Sequence, residues 1–472
     1  MTSDEFRKHA HELVEWIASY MDNVESYPVR SKVSPGEIFS KLPDSPPGKP
    51  ESFENFIKDL DEIIMPGITH WQSPSFFAYF PANTSPPSVL AEMIISALGA
   101  QCMNWETSPA AAELEEKMMI WLKEMTGLPT EFEGVIQDSA STATLAAIIT
   151  AREKCTAFTA NNEGIGAGRI LRVYCSEQAH SSVEKGVRIS GIGRKNLVKI
   201  PVRDDFSMNP RKLAEAIEKD KKNGYLPCCV IATIGTTGST AVDPLRPIGE
   251  ICSKNHIWLH IDAAMAGTAL ILPEFRWMID GKEYIDSFLF NPHKWMFTNF
   301  DCTAFFTKDA GSLIRTFEIL PEYLKTRTRG QVNDYRDWGI PLGRRFRALK
   351  LWSVIRSYGV EGLQEKIRMH IGLASRLKEM ILKENDFEIA APVVINVVCF
   401  RFRPAGYDEK ELNAINERLN HLLNDSGTMY LSHTTLNGKY VLRMVTGQTN
   451  VTIDHVEKAW ARVLQTARNI AG

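Results

Sequence analysis

The 472-residue chain has no Cys-x-x-Cys pair. Its eight cysteines, Cys102, Cys155, Cys175, Cys228, Cys229, Cys252, Cys302 and Cys399, fall at spacings that suit neither a zinc knuckle nor a disulfide framework. They read as reduced thiols of a cytoplasmic protein, and no metal site is expected. A surplus of one charge is also missing. Fifty-four Lys and Arg face 57 Asp and Glu, a net charge of −3, which excludes the strong positive field of a general nucleic-acid or anionic-membrane binder. No stretch approaches the ~20 apolar residues of a membrane-spanning helix. The N-terminus, MTSDEFRKHAHELVEW, places charges in every turn where a secretory signal would be apolar. Nor do the glycines of GIGAG (164–168) or GIGRK (191–195) form a strand–GxGxxG–helix unit, so a dinucleotide site is not expected.

What remains is an ordinary globular composition, 44% hydrophobic and 24% charged. Its length suits about three structural units at ~150 residues each. Phe6, Ala10, Leu13, Val14, Ile17 and Met21 fall at helical spacing, and such a stripe needs a surface to dock on. Residues 26–50 are rich in Pro, Ser and Gly and read as a linker, followed by a helical stretch over 51–65. From about 110 to 310 helical and strand patterns alternate. Helices are expected near 111–125, 141–155, 181–190, 210–222 and 245–255, and strands at 171–175, 228–234, 257–262, 285–290 and 303–307. That alternation predicts an α/β fold with a mostly parallel sheet covered on both faces, and ligands then bind beyond the carboxyl ends of the strands. Residues 321–340 are charged and aperiodic and read as a functional loop or lid. A helix over 343–383 and an α+β tail complete the chain.

Three polar clusters follow apolar strands: His260-Ile261-Asp262-Ala263-Ala264, Asn291-Pro292-His293-Lys294-Trp295 and Gln178-Ala179-His180-Ser181-Ser182. Singly, each has a bland reading as a turn, a cap or a core histidine. Together they place an Asp, a Lys and a His at one sheet edge, the parts that pyridoxal phosphate (PLP) requires. That cofactor needs a lysine amine to condense with its aldehyde and an acid beside its pyridine nitrogen. Its phosphate needs donors, and Ser139-Ala140-Ser141 running into a helix offers hydroxyls and a helix N-terminus.

The segments SFLFNPHKW, WLHIDAA, QAHSSVEKG, VIQDSAS, HWQSPSFFAYFP and IPLGRRFRALKLW together resemble the group II PLP-dependent decarboxylases, and among them most the aromatic-L-amino-acid decarboxylases. The resemblance runs almost end to end. It implies a fold-type-I, aspartate-aminotransferase-like architecture: an N-terminal helical arm and linker embracing a second subunit (1–80), a large PLP-binding α/β domain (81–365) and a small C-terminal α+β domain (366–472). It implies that Lys294 holds the cofactor, Asp262 pairs with the pyridine nitrogen and His180 stacks on the ring. Ala140, Ser141, Asn291 and His293 would surround the phosphate, with Thr237 and Ala264 lining the ring. Tyr323 takes the position of a lid tyrosine that protonates Cα, and Arg327 and Arg329 of the same stretch read as solvated charges.

Trp71, Tyr79, Phe80, Pro81, Gln101, Met103 and Gly343 match positions around the substrate, with Gln101 and Met103 reaching in from the other subunit. Glycine at position 343 leans toward indole rings. Three departures bear on ring preference: Met265 stands where animal members usually carry Tyr, and Gln101 and Met103 where they carry bulkier apolar residues.

The implied activity is decarboxylation of an aromatic L-amino acid (tryptophan, 5-hydroxytryptophan, tyrosine or dihydroxyphenylalanine) by a cytoplasmic homodimer, with no nucleic-acid or membrane partner. The competing readings are an aromatic acetaldehyde synthase, a decarboxylase of a non-aromatic amino acid, and a non-catalytic scaffold of the same fold.

Overall fold

A computed structural model describes residues 1–166, 168–319 and 330–471. The chain divides into two compact units, one formed by Ala82–Ser375 with Ala391–Val398, the other by Met1–Pro81, Arg376–Ala390 and the residues from Cys399 on.

The larger unit is built on a seven-stranded sheet: β1 (Glu133–Gln137), β2 (Leu171–Ser176), β3 (Leu197–Ile200), β4 (Leu226–Thr233), β5 (Trp258–Asp262), β6 (Ser287–Phe290) and β7 (Thr303–Thr307). Their order is β1-β7-β6-β5-β4-β2-β3. The pairs β2–β3, β2–β4, β4–β5 and β5–β6 are parallel, whereas β7 runs antiparallel to both β6 and β1. Strands β5, β6 and β7 are buried at every residue, which explains their unbroken apolar runs. The register sets Thr233 opposite Asp262 and Asp262 opposite Leu289, so these strands end at one edge. Because β7 is reversed, its first residue, Thr303, lies at that same edge, opposite Gln137.

The helix Ala140–Cys155 covers the sheet through Ala143, Ala146, Ala147, Ile148 and Ala151, all buried. Its small residues permit a close approach. Gly186 of the helix Ser181–Ile189 permits another, since a Cβ there would stand 2.8 Å from Ile148 Cδ1. Burying Ile148 stabilises the contact by roughly 1.5–3 kcal/mol.

The five expected strands and the helices Pro109–Thr126, Ala140–Cys155, Ser181–Ile189, Pro210–Lys222 and Leu245–Asn255 are found within about two residues of their expected bounds. Strands β1 and β3 were not anticipated. The long helix is Arg347–Ile381, interrupted at Gly359, whose φ of 66° lies in the left-handed region.

In the other unit the helix Ser3–Asn23 starts on a reciprocal Thr2–Glu5 capping box. Its stripe remains open, with Phe6 62% and Val14 41% exposed. The linker holds one short helix, Glu37–Lys41. The four-stranded sheet of β8 (Phe387–Ile389), β9 (Val397–Phe402), β10 (Ser432–Leu436) and β11 (Lys439–Val445) has the order β10-β11-β9-β8. Among the described residues no helix is long and apolar enough to cross a membrane.

Candidate active site

The carboxyl edge of the large sheet brings together most of the expected residues. Asp262 ends β5, is 5% exposed, and its Oδ1 accepts the Ala264 N–H at 3.1 Å. Ala264 O accepts the Asn291 N–H at 2.8 Å, which locks the turn after β5 to the turn after β6. One helical turn, Pro292–Trp295, then carries His293 and Lys294, and the Lys294 N–H returns to Asn291 O at 2.9 Å. Thr303 Oγ1 donates to Asn291 Oδ1 at 2.9 Å, and the Cys302 N–H donates to His293 Nδ1 at 2.9 Å. The segment carrying the lysine is thus tied at both ends.

Three charges shape the centre of this edge. Burial holds the Lys294 amine below the usual lysine range, with Asp262 opposing that shift. Burial also lowers His180; Asp262 pulls it up and Lys294 pushes it down. His180 caps the helix Ser181–Ile189, and its Nδ1 accepts the Ser182 N–H at 3.1 Å with Ser182 Oγ at 2.8 Å. An accepting Nδ1 assigns the proton of the neutral ring to Nε2. His293 follows the same logic: burial first, then Lys294, push it down to about 3, and its accepting Nδ1 leaves Nε2 as donor.

Beside this centre the helix Ala140–Cys155 begins. Ser139 Oγ accepts the Thr142 N–H at 3.2 Å and Ser139 O takes that of Ala143. The Ala140 and Ser141 N–H groups take no partner among the described residues, which leaves them available to an anion. Ala140 and Ala264 pack on the same core cluster around Leu289 and Phe305, so this helix start adjoins the Asp262 turn. Thr237 is exposed on the loop after β4. That loop passes so close to the β5 turn that a Cβ on Gly235 (φ 78°) would stand 2.5 Å from Ala266 Cβ.

Other expected residues lie elsewhere. Gln101 and Gly343 adjoin each other, with Gln101 Oε1 accepting the Arg344 N–H at 2.8 Å, and Met103 O takes the Arg336 N–H at 2.8 Å. Trp71, Tyr79, Phe80 and Pro81 belong to the other compact unit. There Trp71 stacks on Phe76 and Tyr79 at ring-centroid distances of 4.5 and 5.7 Å, and Arg443 lies 5.5 Å over the Phe80 ring. Tyr323, Arg327 and Arg329 lie outside the described residues.

Sequence reasoning missed the supports. Ser182 was visible as a polar residue two after a capping His. Thr303 and Cys302 carried no signal, because only the reversed direction of β7 delivers them. Asp243, fully buried, accepts the Met208 and Thr233 N–H groups at 2.6 and 2.8 Å and braces the end of β4; burial pushes its carboxyl up to about 6.

The donor set fits PLP: an amine of lowered basicity beside a carboxylate, a neutral ring, and a helix start with two open N–H groups. Residues 35–403 match the model of the pyridoxal-dependent decarboxylase conserved domain. The chain belongs to that family. It is a PLP-dependent carboxy-lyase of fold type I. Among its relatives, Tyrosine decarboxylase 3 of Petroselinum crispum is 43% identical, the alignment covering 98% of this chain and 91% of that one. Phenylacetaldehyde synthase of Arabidopsis thaliana is also 43% identical, over 99% and 96% of the two chains. The crystal structure of Oryza sativa TDC with PLP and tryptamine superposes with a TM-score of 0.97 at 36% identity, covering 100% of this chain and 99% of that one.

Proposed function

We propose that this decarboxylase acts on an aromatic L-amino acid, of the tryptophan, 5-hydroxytryptophan, tyrosine or dihydroxyphenylalanine class, and releases the aromatic amine and carbon dioxide. The observation that carries the reading is the Lys294 amine set at one sheet edge with Asp262 and the neutral His180 ring. The names of the relatives support the aromatic substrate.

PLP, when bound, supplies an electron sink for the pair left at Cα as carbon dioxide departs. Lys294 holds it, and a lowered pKa increases the fraction of free amine able to condense. Asp262, one of whose oxygens accepts the Ala264 N–H, would hold the pyridine nitrogen protonated. His180, oriented by Ser182, would cover the ring. Ala140, Ser141, Asn291 and His293 would hold the phosphate, while Thr237 and Ala264 would line the ring. Tyr323 returns a proton to Cα. Trp71, Tyr79, Phe80, Pro81 and Gly343 match the family positions that contact the substrate, as do Gln101 and Met103 from the second subunit. Residues 1–80 form an arm that embraces the second subunit of a cytoplasmic homodimer, ahead of a PLP-binding part (81–365) and a small C-terminal part (366–472).

Carbon dioxide release across tryptophan, 5-hydroxytryptophan, tyrosine, dihydroxyphenylalanine, phenylalanine and glutamate tests this. Turnover confined to aromatic substrates is expected, and a preference for glutamate would overturn it. The similarity to phenylacetaldehyde synthase favours one second reading, release of an aldehyde in place of the amine. Product analysis in the same assay separates the two.

A further inference from the structure

All eight cysteines are free, and the cofactor edge uses none of their thiols. Three of them meet at the opposite edge of the same sheet. A cavity of about 350 Å³ opens there beside the starts of β5 and β6, lined by Cys155, Cys228 and Cys252 together with Lys154, Lys308 and Asp286. Cys155 is the last residue of the helix Ala140–Cys155 whose first turn lies at the cofactor edge. It is the only one of the eight that is partly exposed; Cys228, in β4, and Cys252 are 2% and 1% exposed. Cys155 packs on the core cluster that contains Cys228, and both thiols line the same cavity.

We propose that Cys155 and Cys228 form a reversible thiol–disulfide site, with Cys155 as the attacking thiol and Cys228 as the resolving one, that takes a small hydroperoxide admitted by the cavity. The Cys155 thiolate attacks one peroxide oxygen, the O–O bond breaks, and hydroxide leaves as Cys155 becomes a sulfenic acid. Cys228 sulfur then attacks Cys155 sulfur, the S–O bond breaks, and the hydroxyl leaves as water with the Cys228 proton. In sum, two thiols and one hydrogen peroxide give one disulfide and two waters. A dithiol reverses the step by exchange.

The electrostatics assign the two roles. The interaction with Cys228, with the nearby Arg169, holds Cys155 below the usual thiol range, while the interaction with Cys155 and full burial raise Cys228. Burial raises Cys252 and Cys229. Lys154, which also lines the cavity, is held by Asp309 at 2.7 Å and lies 5.4 Å over the Trp258 ring.

The test treats the PLP-loaded full-length protein with one equivalent of hydrogen peroxide, alkylates the remaining thiols and maps disulfide-linked peptides by mass spectrometry. Two of the eight alkylatable thiols should vanish, a Cys155–Cys228 linked peptide should appear, and dithiothreitol should restore both. In Cys228→Ser, dimedone should trap a sulfenic acid at Cys155; in Cys155→Ser, Cys228 should stay unoxidised. Should Cys228→Ser fold poorly, Cys228→Ala serves the same arm, and the wild-type map stands without either. Oxidation of other cysteines ahead of Cys155, or a persistent Cys155 sulfenic acid in the wild type with no link to Cys228, overturns the proposal.

Discussion

Serine in place of Gly343 is a small change whose consequence the structure allows to be worked out. A Cβ on Gly343 meets a single group within 4 Å, Gln101 Nε2 at 3.3 Å. That atom is the far end of a flexible side chain, so it yields by a few tenths of an ångström and the backbone is spared. Position 343 is exposed, so stability should change by no more than about 0.5 kcal/mol. The effect falls on the substrate instead. Gln101 is anchored through its oxygen to the Arg344 N–H, and a serine hydroxyl facing its free amide would add a second tie. Space that a bulky indole occupies is then held by a fixed polar pair. Loss of one methylene's worth of room in a pocket discriminates by ~1–3 kcal/mol, or about 10- to 200-fold. The measurement is kcat/KM for tryptophan and for tyrosine in Gly343→Ser and wild type, with melting temperature as the control. The ratio should move toward tyrosine by at least tenfold. Equal losses on both substrates, with unchanged melting, would refute the reasoning and leave Gly343 serving only the chain path.

Lys294→Ala should abolish the visible absorbance of the lysine-bound cofactor and nearly all turnover; retention of that band after dialysis and borohydride treatment would mean that another lysine holds PLP. Tyr323→Phe should still release carbon dioxide but lower amine output by ~10²–10⁴, the usual worth of a general acid, with aldehyde replacing amine under air; an amine-to-carbon-dioxide ratio still near one counts against the proton-donor role. His260 is fully buried and its pKa is pushed down to about 3. Below its ordinary value of about 6.5 the unfolded chain therefore takes up a proton that the folded chain refuses, so stability is lost as pH falls from there toward 3. The loss reaches about 2 kcal/mol by pH 5 at ~1.4 kcal/mol per pH unit. Denaturant melts at pH 7 and pH 5 should show His260→Leu losing less than wild type by about that amount, and identical slopes would exclude the assignment.

How far the chain could be read from its residues depended on burial. Strands enclosed on both faces, such as β4, β5 and β7, announce themselves as apolar runs, and each was found close to its expected bounds. Edge strand β3 has only one buried residue in four, and β1 spans five residues around a glycine, so neither leaves a clear pattern. Direction is harder still. Nothing in TAFFT says that β7 runs against its neighbours, yet that reversal brings Thr303 to Asn291 and Cys302 to His293. The residues with chemistry were visible because their types are costly at strand ends without a purpose. Their supports, a threonine hydroxyl and a main-chain N–H, are ordinary groups that only the tertiary fold makes special. The close-set basic residues Arg344, Arg347 and Lys350 show the same limit: Arg344 is buried against Glu115 at 2.5 Å, Arg347 pairs with Asp301 at 2.6 Å, and Lys350 with Glu92 at 2.9 Å, which accounts for those charges within the fold.

The neck that Thr303 closes on Asn291 also bears on the order of folding. Residues 258–307 hold β5, β6 and β7 with Asp262, His293 and Lys294, and β6 meets β7 across a connection of only twelve residues, 291–302. Closing so short a loop costs little chain entropy, whereas His180 and the Ser141 helix start must return over crossovers several times longer. Lys294, in the loop of this β6–β7 hairpin, can therefore be positioned before His180 or the start of the Ala140–Cys155 helix arrives. Pulse-labelled hydrogen exchange during refolding should find β6 and β7 amides protected ahead of those of β2 and β3. A chain still emerging from synthesis would hold the cofactor's anchor before it holds the cofactor's walls.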